Sequence, residues 1–299
     1  MKEPLKEYRP VTEDFLRKTT CPLSAYSFAA IFLWRPFFDF VFDKIDGQLC
    51  IFAENQLGRF MLLPPLGREP SVVAVEAAFG QMEKANKGSG VTRIENVPLD
   101  WLRFFPGEQF RHYNKGYEYL YFRRDIEGLT GNRYKSKRAS LNQFLRRNRA
   151  EFVAYDPQMR ADCLALYEIW AAARRQKYSD GVYQQFLEDN RTVHALMLQD
   201  ASELGLTGRV VVVDGKVKGY TFGFPQNDRT FCVLAEIVDL SLAGAAVYIF
   251  REFCADPAVQ RFMFINAMDD MMFPSMMQTK LSFRPVLLLP AYNITRRSP

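Results

Sequence analysis

The order of elements implied by residues 208–290 restricts the fold of this 299-residue chain more than any other feature. Residues 209–213, 217–224 and 230–238 have the length and the β-branched, aromatic content of strands. Asp214-Gly215, between the first two, is a dipeptide favoured in two-residue hairpins, whose central residues take positive φ. Gln226-Asn227-Asp228 supplies a second turn. A loop then leads to a helix over 244–254, which ends before Pro257. Residues 262–266 read as a strand, 270–281 as a helix and 285–289 as a last strand. This is an α/β (α+β) pattern with a mixed, mainly antiparallel sheet.

The same layout occurs upstream. Helices are predicted over 12–18 and 24–34. Strands follow at 38–43, 48–54 and 59–63, the first pair joined by Asp46-Gly47. A Pro-Pro-Leu-Gly turn at 64–67 leads to a helix over 71–85 with an apolar stripe of Val72, Val75, Phe79 and Met82. A strand at 91–94, a short helix at 99–105 and strands near 110 and at 118–122 complete this half. The C-terminal half opens with a strand at 151–155, a helix over 157–175 striped by Cys163, Leu166, Tyr167 and Trp170, and a second helix over 182–199. The length suits two average domains. We divide the chain into a domain over 1–125, a basic helical connector over 126–150 and a domain over 151–299.

Composition excludes several function classes. The five cysteines include no C-x-x-C pair and their number is odd, which fits reduced core thiols of a cytoplasmic protein. Two histidines make a His-based metal site improbable, so no metal is expected. The most apolar run, 25–42, is interrupted by Arg35, Pro36 and Asp39. A span needs about 20 apolar residues, so no transmembrane segment is expected, although peripheral contact with a membrane stays open. Early acids and prolines (Glu3, Pro4, Glu7, Pro10) are unlike a secretory signal. The net charge of +5 is compatible with an anionic partner.

Several side chains have chemical potential. Glu236 lies in the 230–238 strand and, by simple alternation, shares a face with Cys232, Leu234 and Val238. A carboxylate there is either paired structurally or raised in pKa toward the range of a general base. Asn266, Asp269 and Asp270 stand at a strand end entering a helix. They are helix caps or contacts for an acceptor. Lys280 ends the last helix, complementing its dipole or contacting an oxyanion. Arg133, Lys135, Lys137, Arg138, Arg146, Arg147 and Arg149 occur with no acid between Glu127 and Glu151. With Tyr134, Leu141, Phe144 and Leu145 as an apolar stripe, this segment is either a solvated linker helix or an anion-binding face. Met268, Met271, Met272, Met276 and Met277 are core packing or an adaptable apolar surface.

The element order of both halves resembles the GNAT acyltransferase fold. Specific stretches resemble the cytosolic C-terminal domain of bacterial phosphatidylglycerol lysyltransferases, a family of tandem GNAT domains. They are SAYSFAAIFLWR (24–35), LLPPLG (62–67), YFRRDIEGLTGNRYKSKRASLNQF (121–144), GYTFGFPQNDRT (219–230), AEIVD (235–239), INAMDD (265–270) and KLSFRP (280–285).

The resemblance implies two tandem GNAT-like domains and transfer of an aminoacyl or acyl group from an activated donor to an amine or hydroxyl. In the family the donor is aminoacyl-tRNA and the acceptor a phospholipid. It further implies tRNA, anionic lipid and a small-molecule acceptor as partners, and no tightly bound cofactor. GNAT proteins hold a donor pyrophosphate on a Q/R-x-x-G-x-G/A turn at a helix N-terminus. The corresponding run is Ser241-Leu242-Ala243-Gly244-Ala245-Ala246, with Ser241 replacing Gln or Arg. Ser241, Ala243, Gly244 and Ala246 are thus donor-site candidates, unless the small residues serve helix packing. In the donor reading, valine at 244 blocks the donor without disturbing the fold. The first half has only Leu66-Gly67-Arg68-Glu69-Pro70 there and has lost its donor site. Glu236 and Lys280 are the catalytic candidates, and Asn266 and Asp269 the acceptor contacts. The 270–281 helix lacks the tyrosine that serves many GNAT acetyltransferases as acid. An aminoacyl-tRNA needs such an acid less than acyl-CoA does, because a ribose hydroxyl shuttles the proton. An acyl-CoA-dependent N-acyltransferase and a non-catalytic GNAT-fold binding module stay open as alternatives.

Overall fold

The computed structural model describes residues 4–87 and 90–297. In chain order the elements are α1 (Pro4–Glu7), α2 (Arg9–Lys18), α3 (Phe28–Leu33), β1 (Asp39–Ile45), β2 (Gln48–Asn55), β3 (Gly58–Met61), α4 (Val72–Asn86), β4 (Ile94–Pro98) and β5 (Phe110–Phe122). They continue with α5 (Arg123–Gly128), α6 (Lys135–Arg147), β6 (Ala150–Ala154), α7 (Arg160–Lys177), α8 (Gly181–Asp200), β7 (Thr207–Val213), β8 (Lys216–Pro225), β9 (Thr230–Val238), α9 (Ala245–Ala255), β10 (Phe264–Asn266), α10 (Pro274–Leu281) and β11 (Leu287–Arg296). Among the described residues, no helix is long and apolar enough to cross a membrane.

The chain forms two compact units that are not contiguous in sequence. The first comprises residues up to Glu118, Asp269–Met277 and residues from Leu288 on; the second comprises Tyr119–Met268 and Gln278–Leu287. The sequence reading instead gave all of 151–299 to one domain. The difference lies in β11, which pairs antiparallel with β4 through Ala291↔Pro98 and Tyr292↔Val97. Strand partnership is decided by distant residues that local pattern does not reveal.

Within the first unit β1, β2 and β3 form an antiparallel meander. The α4 crossover follows, and β4 then pairs parallel with β3. Asp46 and Gly47 both have positive φ, 50° and 74°, so the Ile45↔Gln48 hairpin turns as its residues favour. Ser71 caps α4 by accepting from Ala74 N–H at 3.3 Å. Phe52, Phe79, Phe105 and Phe110 are fully buried around this sheet. The two strands expected near 110 and 118–122 are one strand, β5. The 24–34 helix is shortened to α3, because the Glu118 carboxylate holds Ser24 N–H and Oγ, and Ser27 caps the helix.

The second unit repeats the scheme. β6, β7, β8 and β9 are antiparallel, the α9 crossover follows, and β10 lies parallel to β9. Asp214 and Gly215, at φ 49° and 72°, form the predicted hairpin. Asn227 Oδ1 accepts from Arg229 and Thr230 N–H and shapes the next turn. β10 also pairs antiparallel with the end of β5, through Ile265↔Tyr121. Each unit is thus a mixed, mainly antiparallel sheet with flanking helices, as the sequence predicts. α10 is shorter than the predicted 270–281 helix. Met271 and Met272 take positive φ, 48° and 59°, which α-helical backbone excludes.

Candidate functional site

The turn before α9 is closed by its own surroundings. Gly244 is the residue before the helix, at φ 89°, a left-handed conformation that suits glycine. A Cβ built on it would lie 2.2 Å from the Ser140 carbonyl oxygen and 3.0 Å from Phe144 Cβ. Both belong to α6, so the side of Gly244 that a Cβ would fill is a seat for α6. Phe144, Val238, Ala245, Tyr248 and Ile249 share one apolar cluster that fixes this packing. Ser241 N–H and Oγ donate to Asp239 Oδ1 at 2.9 and 2.6 Å. Burial raises the Asp239 carboxyl, but hydrogen bonds from Lys218 and Ser241 more than reverse this and leave it below its ordinary value. A carboxylate therefore occupies the mouth of the turn. Ser241, Ala243 and Ala246 are exposed around it. Valine at 244 overlaps α6, so the expectation that it would leave the fold intact is corrected.

Glu236 sits on an altered face of β9. Phe222 pairs with Ala235 and Gly223 with Val233, so Leu234 is an extra residue in the strand. Such a bulge reverses the alternation beyond it. Val238 packs with Tyr248 and Ile249 of α9, and Phe231 packs edge-on to Phe253 of the same helix. Glu236 therefore keeps Val238 on its face, under α9, but not Cys232. Its charge acts on Tyr121 and on Cys254 of α9. The residue is partly exposed as a whole, yet its Oε2 is buried and has no hydrogen-bond partner among the described residues. Burial alone pushes its pKa up to about 8. The site has an opening in the sheet, since β9 pairs with β10 only over Thr230–Cys232.

Lys280 is tied to backbone. Its Nζ donates to the carbonyls of Ala267 and Met268 at 2.7 and 3.1 Å, holding the turn after β10. Its own carbonyl accepts from Tyr121 Oη at 2.9 Å, so Tyr121 connects Lys280 with the surroundings of Glu236. Tyr121 was not singled out in the sequence; its signal was its place in the strongly matching 121–144 stretch. Asn266 is fully buried, donates to Gln226 Oε1 and accepts from Met268 N–H. In the first unit, Asp269 is half-buried and Asp270 fully buried, with Asp270 Oδ1 accepting from Met272 N–H at 2.9 Å.

The basic segment separates into engaged and open cations. Arg133 pairs with Asp125 at 2.6 Å, Arg138 donates to the Leu129 and Gly131 carbonyls, and Lys137 donates to Ser282 Oγ at 2.6 Å. These three side chains hold the α5–α6 corner and the end of α10. Lys135, Arg146, Arg147 and Arg149 are exposed, and none forms an ion pair among the described residues. Lys135 and Arg146 lie on one side of α6, about 16 Å apart along its axis.

Comparison with known proteins adds the ancestry. Residues 20–295 match the family model described as phosphatidylglycerol lysyltransferase, C-terminal. A conserved protein of unknown function from Bacteroides thetaiotaomicron is 24% identical with a TM-score of 0.84, over 99% of each chain. The L-PGS of Bacillus licheniformis is 16% identical with a TM-score of 0.68, over 97% of this chain and 93% of that one. An acetyltransferase of the GNAT family from Colwellia psychrerythraea superimposes with a TM-score of 0.51 at 11% identity, over 99% and 98%. These likenesses establish the fold as GNAT-like. No curated protein matches the chain.

Proposed function

Because this chain belongs to the family of phosphatidylglycerol lysyltransferase C-terminal domains, we propose that it transfers an aminoacyl group from aminoacyl-tRNA to a hydroxyl or amine, such as that of a phospholipid headgroup. The observation that carries this reading is the Glu236 carboxylate beside Tyr121, whose Oε2 is buried and has no hydrogen-bond partner among the described residues. A carboxylate left unsatisfied in an apolar site is costly unless a ligand uses it. With its pKa near 8 it is suited to accept the acceptor's proton. The acceptor oxygen or nitrogen then bonds to the ester carbonyl carbon. The carbon–oxygen bond to the tRNA ribose breaks, and the ribose oxygen leaves with the proton that Glu236 took up, relayed by the neighbouring ribose hydroxyl. Lys280 and Asn266 hold the turn after β10.

The closed turn at Gly244 favours a donor without a pyrophosphate to seat there, and so disfavours acyl-CoA. The exposed Lys135, Arg146 and Arg147, with no ion pair among the described residues, support contacts with tRNA phosphates. Action at the cytoplasmic face of a bacterial membrane follows from this choice of substrates.

The test is single-turnover transfer from total charged tRNA to phosphatidylglycerol, alongside a thermal-shift screen with CoA, acetyl-CoA and charged tRNA. The expected result is stabilisation by charged tRNA alone, with transfer that rises with pH through about 8 as Glu236 ionises. Glu236→Gln should lower the rate about a hundredfold or more. Wild-type turnover in that variant, or stabilisation by CoA alone, would overturn the reading.

A further inference from the structure

α10 ends on an arginine where the backbone calls for glycine. Ser282, Phe283 and Arg284 N–H donate to the Gln278, Lys280 and Leu281 carbonyls, winding the chain out of the helix. Arg284 then takes φ 59°. A left-handed residue just past a helix is most often glycine, since any Cβ is strained there. Backbone strain that a sequence retains points to a use for the side chain. Arg284 is exposed, and Pro285 follows it.

The surroundings indicate the use. Lys137 Nζ lies 3.8 Å from the centre of the Phe283 ring and donates to Ser282 Oγ. Burial and the Arg284 charge both push the Lys137 pKa down, so the two cations are near enough to repel each other. The nearby carboxylate of Asp125 is already taken by Arg133. Around this pair, Leu281, Val286 and Leu287 are 40%, 40% and 51% exposed. Phosphates of a nucleic acid would engage the cations but leave these aliphatics in water. An anionic bilayer surface engages both, with phosphates for the cations and the headgroup–acyl boundary for the side chains.

We propose that residues 281–287, with Lys137, form the edge on which this protein seats against an anionic phospholipid surface. Arg284 and Lys137 contact lipid phosphates, while Leu281, Val286 and Leu287 enter the boundary beneath them. The proposal rests on a phospholipid acceptor and supplies the means of reaching it.

Co-sedimentation with vesicles of phosphatidylcholine, with and without phosphatidylglycerol, tests it. The wild type is expected to bind the phosphatidylglycerol vesicles, less so as salt rises. Arg284→Gly should bind about fivefold more weakly while unfolding at the same or a higher temperature, because glycine suits the backbone. Leu281→Ser with Leu287→Ser should weaken binding about tenfold. Failure of the wild type to bind at low salt would overturn the proposal. So would undiminished vesicle binding by Arg284→Gly, or a loss confined to tRNA binding. Transfer to a water-soluble short-chain phosphatidylglycerol is measured separately on the wild type. Vesicle binding without that transfer keeps the docking edge and removes the transfer reading; transfer without vesicle binding does the reverse.

Discussion

Glu95 on β4 is buried and Glu236 on β9 is half-buried with its Oε2 enclosed, and their surroundings treat them oppositely. Glu95 accepts from Lys115 Nζ at 2.8 Å and Arg93 Nε at 2.7 Å. Burial pushes its carboxyl up, but Lys115 and Arg93 more than reverse this and leave it below the ordinary value. Glu236 has burial and no compensating cation, and its pKa rises. The turns before the crossover helices differ too. In the first unit Gly67 faces the Gln48 side chain, whose amide bridges Glu69 carbonyl and Ser71 N–H. In the second, Gly244 faces the backbone of a helix. A side chain can swing aside; a helix cannot. In the first unit the Glu95 carboxylate is satisfied by two cations. In the second, Glu236 Oε2 has no hydrogen-bond partner among the described residues, the observation on which the proposed role of this glutamate rests.

The contrast between the turns is the easiest to break. Gly244→Ala adds a Cβ 2.2 Å from the Ser140 oxygen at a positive φ. It should destabilise by about 3 kcal/mol or more, summing overpacking and left-handed strain. Gly67→Ala meets only the end of Gln48, at 2.6 Å, and should cost less than about 1 kcal/mol. Urea unfolding of both variants measures the difference, and equal losses would mean that α6 yields as readily as a side chain.

The two glutamates should give opposite pH profiles. Glu236 has a folded pKa of about 8 against a reference of 4.5. Its contribution is fully present below the unfolded value and is lost as pH rises through 8. Glu236→Gln should therefore gain roughly 2–4 kcal/mol over wild type at pH 9 and little at pH 4. Glu95 has a lowered pKa, so its contribution is present above the unfolded value and is lost as pH falls through the folded one. Glu95→Gln should cost about 2 kcal/mol at pH 7 and progressively less in acid. Denaturation across pH 4–9 checks both. A flat difference for Glu236→Gln would mean that its carboxylate has an unrecognised cation.

The smallest effect extends the same contrast to the basic segment. Arg146→Gln, at an exposed cation without an ion pair, should flatten the salt dependence of tRNA binding by about 0.7–0.9. Arg133→Gln, already paired with Asp125, should leave that slope unchanged. Filter binding over a salt series separates them; equal slopes would merge the two classes of cation.

The hairpins at Asp46-Gly47 and Asp214-Gly215, the helices α7 and α8, and the full extent of β9 were legible because each follows from local backbone preference or periodicity. Glu236 was legible as a carboxylate among apolar neighbours. Its true face was not, because the bulge at Leu234 is a matter of pairing with β8. The helix expected over 270–281 failed at Met271 and Met272, whose positive φ no rule of composition anticipates.

By itself, then, the sequence determined the element order, the two-fold repetition of that order, the family and the chemical types available. These depend on interactions between residues a few positions apart. Only the tertiary structure decided that β11 joins β4, that α6 seats on Gly244, and which cations and carboxylates find partners. Those outcomes depend on contacts between distant segments, where burial and geometry set whether a polar group is satisfied, and the sequence carries no local trace of them.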